Sequence, residues 1–345
     1  MSHAVICLLV YFAAISLFAV AITVRDKKAA RNNAWRVKER TLLVVAFLGG
    51  SVAMFLAMIA IRHKTSRIKF VVGIPLMIIV QIAVVASAFN QNLSVSRFRV
   101  ETDKIGGQIK LVLVSDLHSC NYGNGQRILL DAIEAEQPDA ILLCGDIFDD
   151  RIPADKTVEF IEGISTKYPC YYVSGNHEFW SGKADEFKHT LESYGVNVLE
   201  GTSFNLDVRG DRIIVCGIDD PDTDRYASRS VLYIRQLELL GESADYELFT
   251  VLLSHRPERI EELLPLNPDL VLSGHAHGGQ WRIPLVLKNG LLSPDQGFFP
   301  KYTNGEYFFE GAKLIVSRGL ARETTSVPRI FNRPELVIVT LEGTQ

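Results

Sequence analysis

Residues 139–150 read DAILLCGDIFDD. Asp139–Cys144 (DAILLC) is apolar after its first residue and of strand length, and it stops at a glycine followed by aspartates. A short apolar run bounded by a turn signal predicts a strand buried on both faces. The same grammar recurs along the chain. Ile109–Val114 (IKLVLV) runs into SDLHS, Cys170–Val173 (CYYV) into SGNHEFW, Leu248–Leu253 (LFTVLL) into SHRPE, and Asp269–Leu272 (DLVL) into SGHAHGGQ. Arg212–Cys216 (RIIVC) is a further strand candidate. Helical spacing separates them over Gln126–Ala135, Lys156–Ile164, Ala184–Tyr194 and Ser228–Leu240, and the chain from about Trp281 reads as mainly β. Strands alternating with helices predict an α/β domain.

Sites in α/β domains assemble at the carboxyl ends of strands. The polar residues at those ends are Asp116, His118, Asp146, Asn176, His177, His255, His275 and His277. One such residue is ordinarily a turn former or helix cap. Eight at the same end of successive strands are not explained that way. Ser273–Trp281 (SGHAHGGQW) sharpens the point. Imidazoles at i and i+2 on an extended segment face the same way, and the flanking glycines let the backbone turn.

The donor set is carboxylate, imidazole and amide without thiolate, which suits Mn, Fe, Zn or Co. It offers more donors than one tetrahedral ion takes. Two ions sharing a carboxylate, ~3.5–4 Å apart, can clamp a phosphoryl oxygen and generate hydroxide at neutral pH. His275 and His277 would then serve different ions. Cys120, Cys144, Cys170 and Cys216 are scattered with no C-x-x-C, so they read as buried thiols in a reducing compartment.

The blocks DLH (116–118), GDIFD (145–149), GNHE (175–178), SHRP (254–257) and GHAH (274–277) resemble, in order, those of calcineurin-like metallophosphoesterases. The resemblance covers roughly residues 95–342. GHAHGGQ and the late VSRGLARE…PRIFNRPEL look like the membrane-associated bacterial branch, some of whose members act on lipid-linked phosphoesters such as UDP-diacylglucosamine pyrophosphate bonds. The resemblance implies a four-layer α/β/β/α sandwich and two divalent ions (Mn, Fe or Zn). It implies that Asp116, His118 and His277 hold one ion and that Asn176, His255 and His275 hold the other, with Asp146 bridging. His177 would stay unligated and face the leaving oxygen, oriented by a hydrogen bond that it donates to Asp149. Protein Ser/Thr phosphatases of this superfamily place Arg-Gly after the oriented Asp, whereas Asp150 and Arg151 stand here. Arg256, Arg318 and Arg322 are the candidates to grip phosphate instead.

The first part of the chain is of another kind. Ala4–Val24, Thr41–Ile61 and Phe70–Phe89 are uncharged and near the ~20 residues of a spanning helix. The expected organisation is a membrane region over 1–94 with three such helices, then the phosphoesterase domain over 95–345. Residues 1–96 hold 11 Lys+Arg and 2 Asp+Glu, net +9, and the remainder is net −13, which together give the chain's −4. The loop after the first run has seven Lys/Arg against four after the second. By the positive-inside rule the N-terminus is outside and the catalytic domain cytoplasmic, in a multi-pass protein of the cell membrane.

An acidic soluble part is a poor nucleic-acid binder. The expected partners are a phosphoester substrate, lipid-linked or membrane-proximal, and the bilayer. The reaction expected is in-line attack on a phosphoester or pyrophosphate by metal-activated hydroxide. A non-catalytic membrane-tethered metal-binding scaffold or sensor is the alternative. A transporter ranks last, because Gln81 is the sole strongly polar side chain in the three runs.

Overall fold

The computed structural model describes residues 3–226, 232–242, 247–322 and 327–344. Residues 228–231, where the expected helix over 228–240 begins, and Glu323 lie outside these. The chain forms two compact units, Met1–Phe89 and Asn90–Gln345.

In the second unit, β1 (Ser94–Thr102), β2 (Gln108–Val114), β3 (Ala140–Cys144), β4 (Cys170–Val173) and β5 (Asn197–Val198) lead into β6 (Thr202–Val208), β7 (Asp211–Gly217), β8 (Phe249–Leu253) and β9 (Leu270–Ser273). There follow β10 (Leu292–Ser293), β11 (Gly297–Phe298), β12 (Gly305–Phe309), β13 (Ala312–Val316) and β14 (Glu335–Gly343). Two six-stranded sheets result, ordered β1-β14-β2-β3-β4-β5 and β12-β13-β9-β8-β7-β6. In the first sheet β2, β3, β4 and β5 run parallel, and β14 lies antiparallel to β2.

Side-chain alternation explains the layering. Leu111 and Leu113 of β2, Leu142 of β3, Val251 and Leu253 of β8 and Leu270 and Leu272 of β9 fill one core between the sheets. The alternate residues Val112, Val114, Ile141 and Leu143 pack outward against Leu129, Ile133, Phe160 and Leu191 of the helices Arg127–Glu136, Asp155–Ser165 and Ala184–Ser193. On the far side Leu252, Val271 and Leu314 meet Tyr233, Leu240 and Ile260. Both faces of each sheet are therefore covered, which is why the central strands read as continuous apolar runs. The architecture is the four-layer α/β/β/α sandwich. Beyond β9 the chain is less regular than a mainly β reading suggests, with two-residue strands and turns before β12.

Among the described residues of the first unit, three helices are long and apolar enough to cross a membrane: Leu9–Arg31, Glu39–Ala60 and Ile68–Ala88. The first continues past Val24, and the buried Asp26 in that extension bonds His63 Nε2 at 2.7 Å and accepts the Val37 N–H at 3.0 Å. The second is interrupted by a π-bulge at Ala46–Gly50, with Gly49 at φ 111°. Within the bulge the Gln81 amide donates to Ala46 O (3.1 Å) and Phe47 O (2.8 Å).

Candidate metal centre

The site is assembled from strand ends. Asp116 and His118 follow β2, Asp146 follows β3, Asn176 and His177 follow β4, His255 follows β8, and His275 and His277 follow β9. Backbone bonds tie the tips together, since Asp116 N–H donates to Gly145 O (3.0 Å) and His118 N–H to Asp146 O (2.9 Å). All these side chains are buried except that of His177, which is half-buried.

Five of them adopt left-handed backbone: Asp116 (φ 50°), His118 (47°), Asp146 (53°), His275 (62°) and His277 (45°). Each such residue costs about 1–2 kcal/mol, and strain of this kind gathers at functional sites. The GHAH segment is thus a tight turn and not an extended stretch. Its two imidazoles still part company: His277 groups with Asp116 and His118, and His275 with Asp146 and His255, the ligand atoms of each group lying within 4.8 Å of one another. Close approach is needed throughout. A Cβ on Gly274 would stand 2.5 Å from Asp116 Oδ2, and one on Gly175 would fall on the Asp146 carboxylate.

Three imidazoles each give one N–H to a protein acceptor and leave the other nitrogen buried and unpartnered. His255 Nδ1 donates to Cys144 O (2.9 Å), His118 Nδ1 to Asp149 Oδ2 (3.1 Å) and His275 Nε2 to Asp295 Oδ2 (2.8 Å). The atoms left over are His255 Nε2, His118 Nε2 and His275 Nδ1, joined by Asn176 Oδ1. Buried polar atoms without partners are costly. Asp146 Oδ2 lies between two of them, 3.6 Å from His118 Nε2 and 3.2 Å from His255 Nε2. Lone pairs converging on a shared carboxylate fit a pair of cations, and the outer acceptors fix the tautomers that ligation requires.

The electrostatics agree. Burial alone would pull His255 down, but Asp146 outweighs it and the imidazole is pushed up to about 10. His118 is raised against its burial by Asp149 and Asp146. Burial pushes Asp146 up, yet His255 and His177 hold its carboxyl well below the usual carboxylate range. His277 differs: burial and the neighbouring Arg329 cation keep it well below the usual imidazole range.

The sequence reading gave Asp149 the task of orienting His177, and the structure gives it to Asp150. His177 Nδ1 donates to Asp150 Oδ1 at 2.7 Å, while Asp149 stands 3.8 Å away. The cause is local. Asp149 Oδ1 accepts the N–H groups of Arg151 and Ile152, both at 2.8 Å, and that turn directs its other oxygen to His118.

The arginines also differ from expectation. Arg256 is enclosed by carboxylates, with Nε 2.6 Å from Asp220 and Nη1 2.9 Å from Asp295. Arg318 is engaged by Glu335 (2.9 Å) and Ser94 Oγ (3.0 Å). Neither presents a free guanidinium to a phosphate. Arg322 lies over the Tyr122 ring at 5.1 Å and donates to Asn121 O at 3.3 Å.

Sequence reasoning passed over three residues. Buried Glu178 accepts N–H bonds from Asp146 (3.0 Å), Ile147 (2.7 Å), Phe148 (3.0 Å) and Gly175 (2.9 Å), and so clamps two strand tips. Its place three residues after Gly175, at a helix start, was the available signal. Asp295 sits in no motif, and the fully buried Arg329, whose Nη2 lies 3.4 Å from His277 Nδ1, belongs to the late PRIFNRPEL stretch, to which no role at the centre was given. A cleft of about 380 Å³ opens on the centre, lined by His118, Asp150, Arg151, His177, Trp180 and Gln280 among others.

The calcineurin-like phosphoesterase family matches residues 109–279, the stretch that carries every one of these strand tips. The chain carries a calcineurin-like metallophosphoesterase domain. That domain makes it a hydrolase of phosphoester bonds, and calcineurin-like phosphoesterases use a dinuclear metal centre. Residues 16–70 match a family of proteins of unknown function (DUF1294). An uncharacterized metallophosphoesterase of Aquifex aeolicus is 29% identical over 258 residues, 73% of this chain and 92% of its own length. A transmembrane protein with metallophosphoesterase domain from Danio rerio is 28% identical over 54% of this chain, which spans 44% of that relative. A dimetal phosphatase of known structure from Danio rerio shares 14% identity over 62% of this chain and 88% of its own, with a TM-score of 0.42.

Proposed function

We propose that this metallophosphoesterase is a multi-pass membrane enzyme that hydrolyses a phosphoester or pyrophosphate bond in a lipid-linked substrate. The observation that carries the hydrolytic reading is the Asp146 carboxylate set between the unpartnered nitrogens of His118 and His255. Asp116, His118 and His277 would hold one divalent ion and Asn176, His255 and His275 the other, with the Asp146 carboxylate available to both. Mn, Fe and Zn all suit oxygen and imidazole donors. When bound, the ion pair supplies Lewis acidity at the phosphoryl group and lowers the pKa of a water.

The chain's own residues do the rest. Asp150 fixes the His177 ring through Nδ1, which leaves Nε2 to meet the leaving oxygen as acid or charge stabiliser. Asp149 keeps His118 in its ligating tautomer. The cleft's own charged wall includes both Asp150 and Arg151, so Arg151 is the cation at hand for a substrate phosphate. Residues 1–94 form the membrane region and 95–345 the catalytic domain on the cytoplasmic side. Tethering of this kind raises the effective concentration of substrates that reside in the bilayer, which favours a lipid-linked phosphoester.

Purified full chain with Mn²⁺ is expected to hydrolyse bis-p-nitrophenyl phosphate, and Asp146→Asn to abolish that turnover. Wild type and variant equally inert across Mn, Fe and Zn would refute hydrolysis. Tight metal binding without turnover on any phosphoester would favour the scaffold reading. A lipid-extract screen comparing wild type with His177→Ala tests the substrate class, and products confined to the aqueous fraction would count against a lipid-linked one.

A further inference from the structure

The segment 282–301 follows the GHAHGGQ turn and carries large apolar side chains in water. Leu285 and Val286 are 90% and 80% exposed, and Phe298 and Phe299 are 73% and 72% exposed. Single exposed apolar residues are ordinary, but four on two neighbouring turns of one segment need a partner. Both turns also place a bulky residue in left-handed backbone, Leu285 at φ 69° and Phe299 at φ 56°. Glycine or asparagine would sit there with less strain. The turns are nevertheless held firmly. Leu291 N–H donates to Gly279 O (3.0 Å), Phe299 N–H to Leu291 O (2.8 Å), and the Gln296 side chain bonds both Tyr302 N (2.9 Å) and Tyr302 O (2.7 Å). The apolar tips are thus presented on a fixed base.

Charge selects the partner. The segment contains Arg282, Lys288, Lys301 and the single acid Asp295, net +2, in a part of the chain that is net −13. Asp295, also exposed, is paired with His275 (2.8 Å) and Arg256 (2.9 Å), whereas no carboxylate is paired with Lys288 or Lys301 among the bonds of the described residues, and both lysines are exposed. Bulky apolar tips flanked by lysine are the chemistry of insertion into an anionic lipid interface.

We propose that Leu285, Val286, Phe298 and Phe299 insert into the headgroup and upper acyl region of an anionic bilayer. The same segment supplies Leu292, Ser293 and Pro294 to the wall of the catalytic cleft, so the docked loop opens that cleft toward the lipid surface. This rests on the reading of the three helices as membrane spans and is independent of hydrolysis.

The test uses the full chain in nanodiscs containing phosphatidylglycerol, in a Cys7→Ser background. Cys120, Cys144, Cys170 and Cys216 are buried. An environment-sensitive fluorophore is attached at Val286→Cys, at Phe298→Cys, or at Thr166→Cys as an exposed control just before β4, away from the strand tips. With nitroxide on the upper acyl chain, quenching at 286 and 298 is expected to exceed that at 166 at least threefold. Lys288→Glu with Lys301→Glu is expected to reduce it about twofold. Equal quenching at all three positions would overturn the proposal. So would shielding of 286 and 298 that needs no nitroxide and grows with protein concentration, which would mark a second copy as the partner. Failure of the chain to enter nanodiscs at all would instead strike the membrane-spanning reading. The readout needs no turnover, so an inactive enzyme does not blur it.

Discussion

Asp149 and Asp150 are neighbours with separate tasks, and substitution separates them. Asp150→Asn removes the charge that holds His177, so kcat is expected to fall ~10–100-fold while metal content stays unchanged, given the usual size of a positioning contribution. Asp149→Asn leaves His177 in place but frees His118. Metal affinity is then expected to fall ~10–100-fold, with kcat recovering at saturating metal. Metal analysis alongside kinetics reads both, and the reverse pattern would restore the assignment made from sequence. Proton linkage gives a second expectation. In protein stripped of metal, His255 is pushed up to about 10, so ligation must displace its proton. Metal affinity should rise with pH between about 6.5 and 9, with about one proton released for His255 and none for His277. A calorimetric titration in buffers of different ionisation enthalpy counts them. For folding of the stripped protein the sign is opposite. The His255 contribution is present below about 6.5 and fades as pH rises toward 10, because the folded pKa lies above the unfolded one. The strand-tip residues were legible because their chemistry is costly anywhere but at a site. The exchange between Asp149 and Asp150 was not, because it turns on which carboxylate caps the Arg151 and Ile152 amides. Asp295 and Arg329 reach the centre from far along the chain, with no spacing to announce them.

At the scale of elements, burial on both faces made β2, β3, β4, β8 and β9 readable, since each is a run of apolar residues with a polar end. The pairing of β1 with β14 was not readable. It joins Ser94 to Glu335 across most of the domain, and nothing local in either strand specifies the other. The π-bulge was equally hidden, because Gly49 and Gly50 are tolerated in an apolar helix until a partner supplies donors. That partner defines a prediction. Gln81→Leu strips the Ala46 and Phe47 carbonyls of their donor while keeping the apolar volume. A loss of about 1 kcal/mol in the unfolding free energy of the purified full chain is expected, the usual size of an interhelical polar bond in such surroundings. A stability gain would mean that the bulge satisfies itself. In the catalytic domain the close packing behind the metal centre makes the analogous point. Gly274→Ala sets a Cβ against Asp116 Oδ2 and Ser115. Bound metal is expected to drop to at most one ion per chain while far-UV circular dichroism is retained, since the β8 and β9 cores lie behind the turn.

The whole molecule is two electrostatically opposed parts, net +9 in residues 1–96 and net −13 beyond. Eleven cations lie between or beside the apolar helices, seven of them in Arg25–Arg40, and that loop decides the orientation if the positive-inside rule governs. With three spans, a cytoplasmic Arg25–Arg40 loop puts the chain after Ala88 on the cytoplasmic side as well. A C-terminal tag is therefore expected to resist protease in intact cells and to be cut once the membrane is opened. The bias is open to manipulation. Replacing Arg25, Lys27, Lys28 and Arg31 by Gln leaves three cations in the first loop against four in the second, and a fraction of the chains should then expose the tag on intact cells. Cleavage of the wild-type tag in intact cells would mean either that the orientation is inverted or that only two of the three helices span, and in both cases the catalytic domain would lie outside.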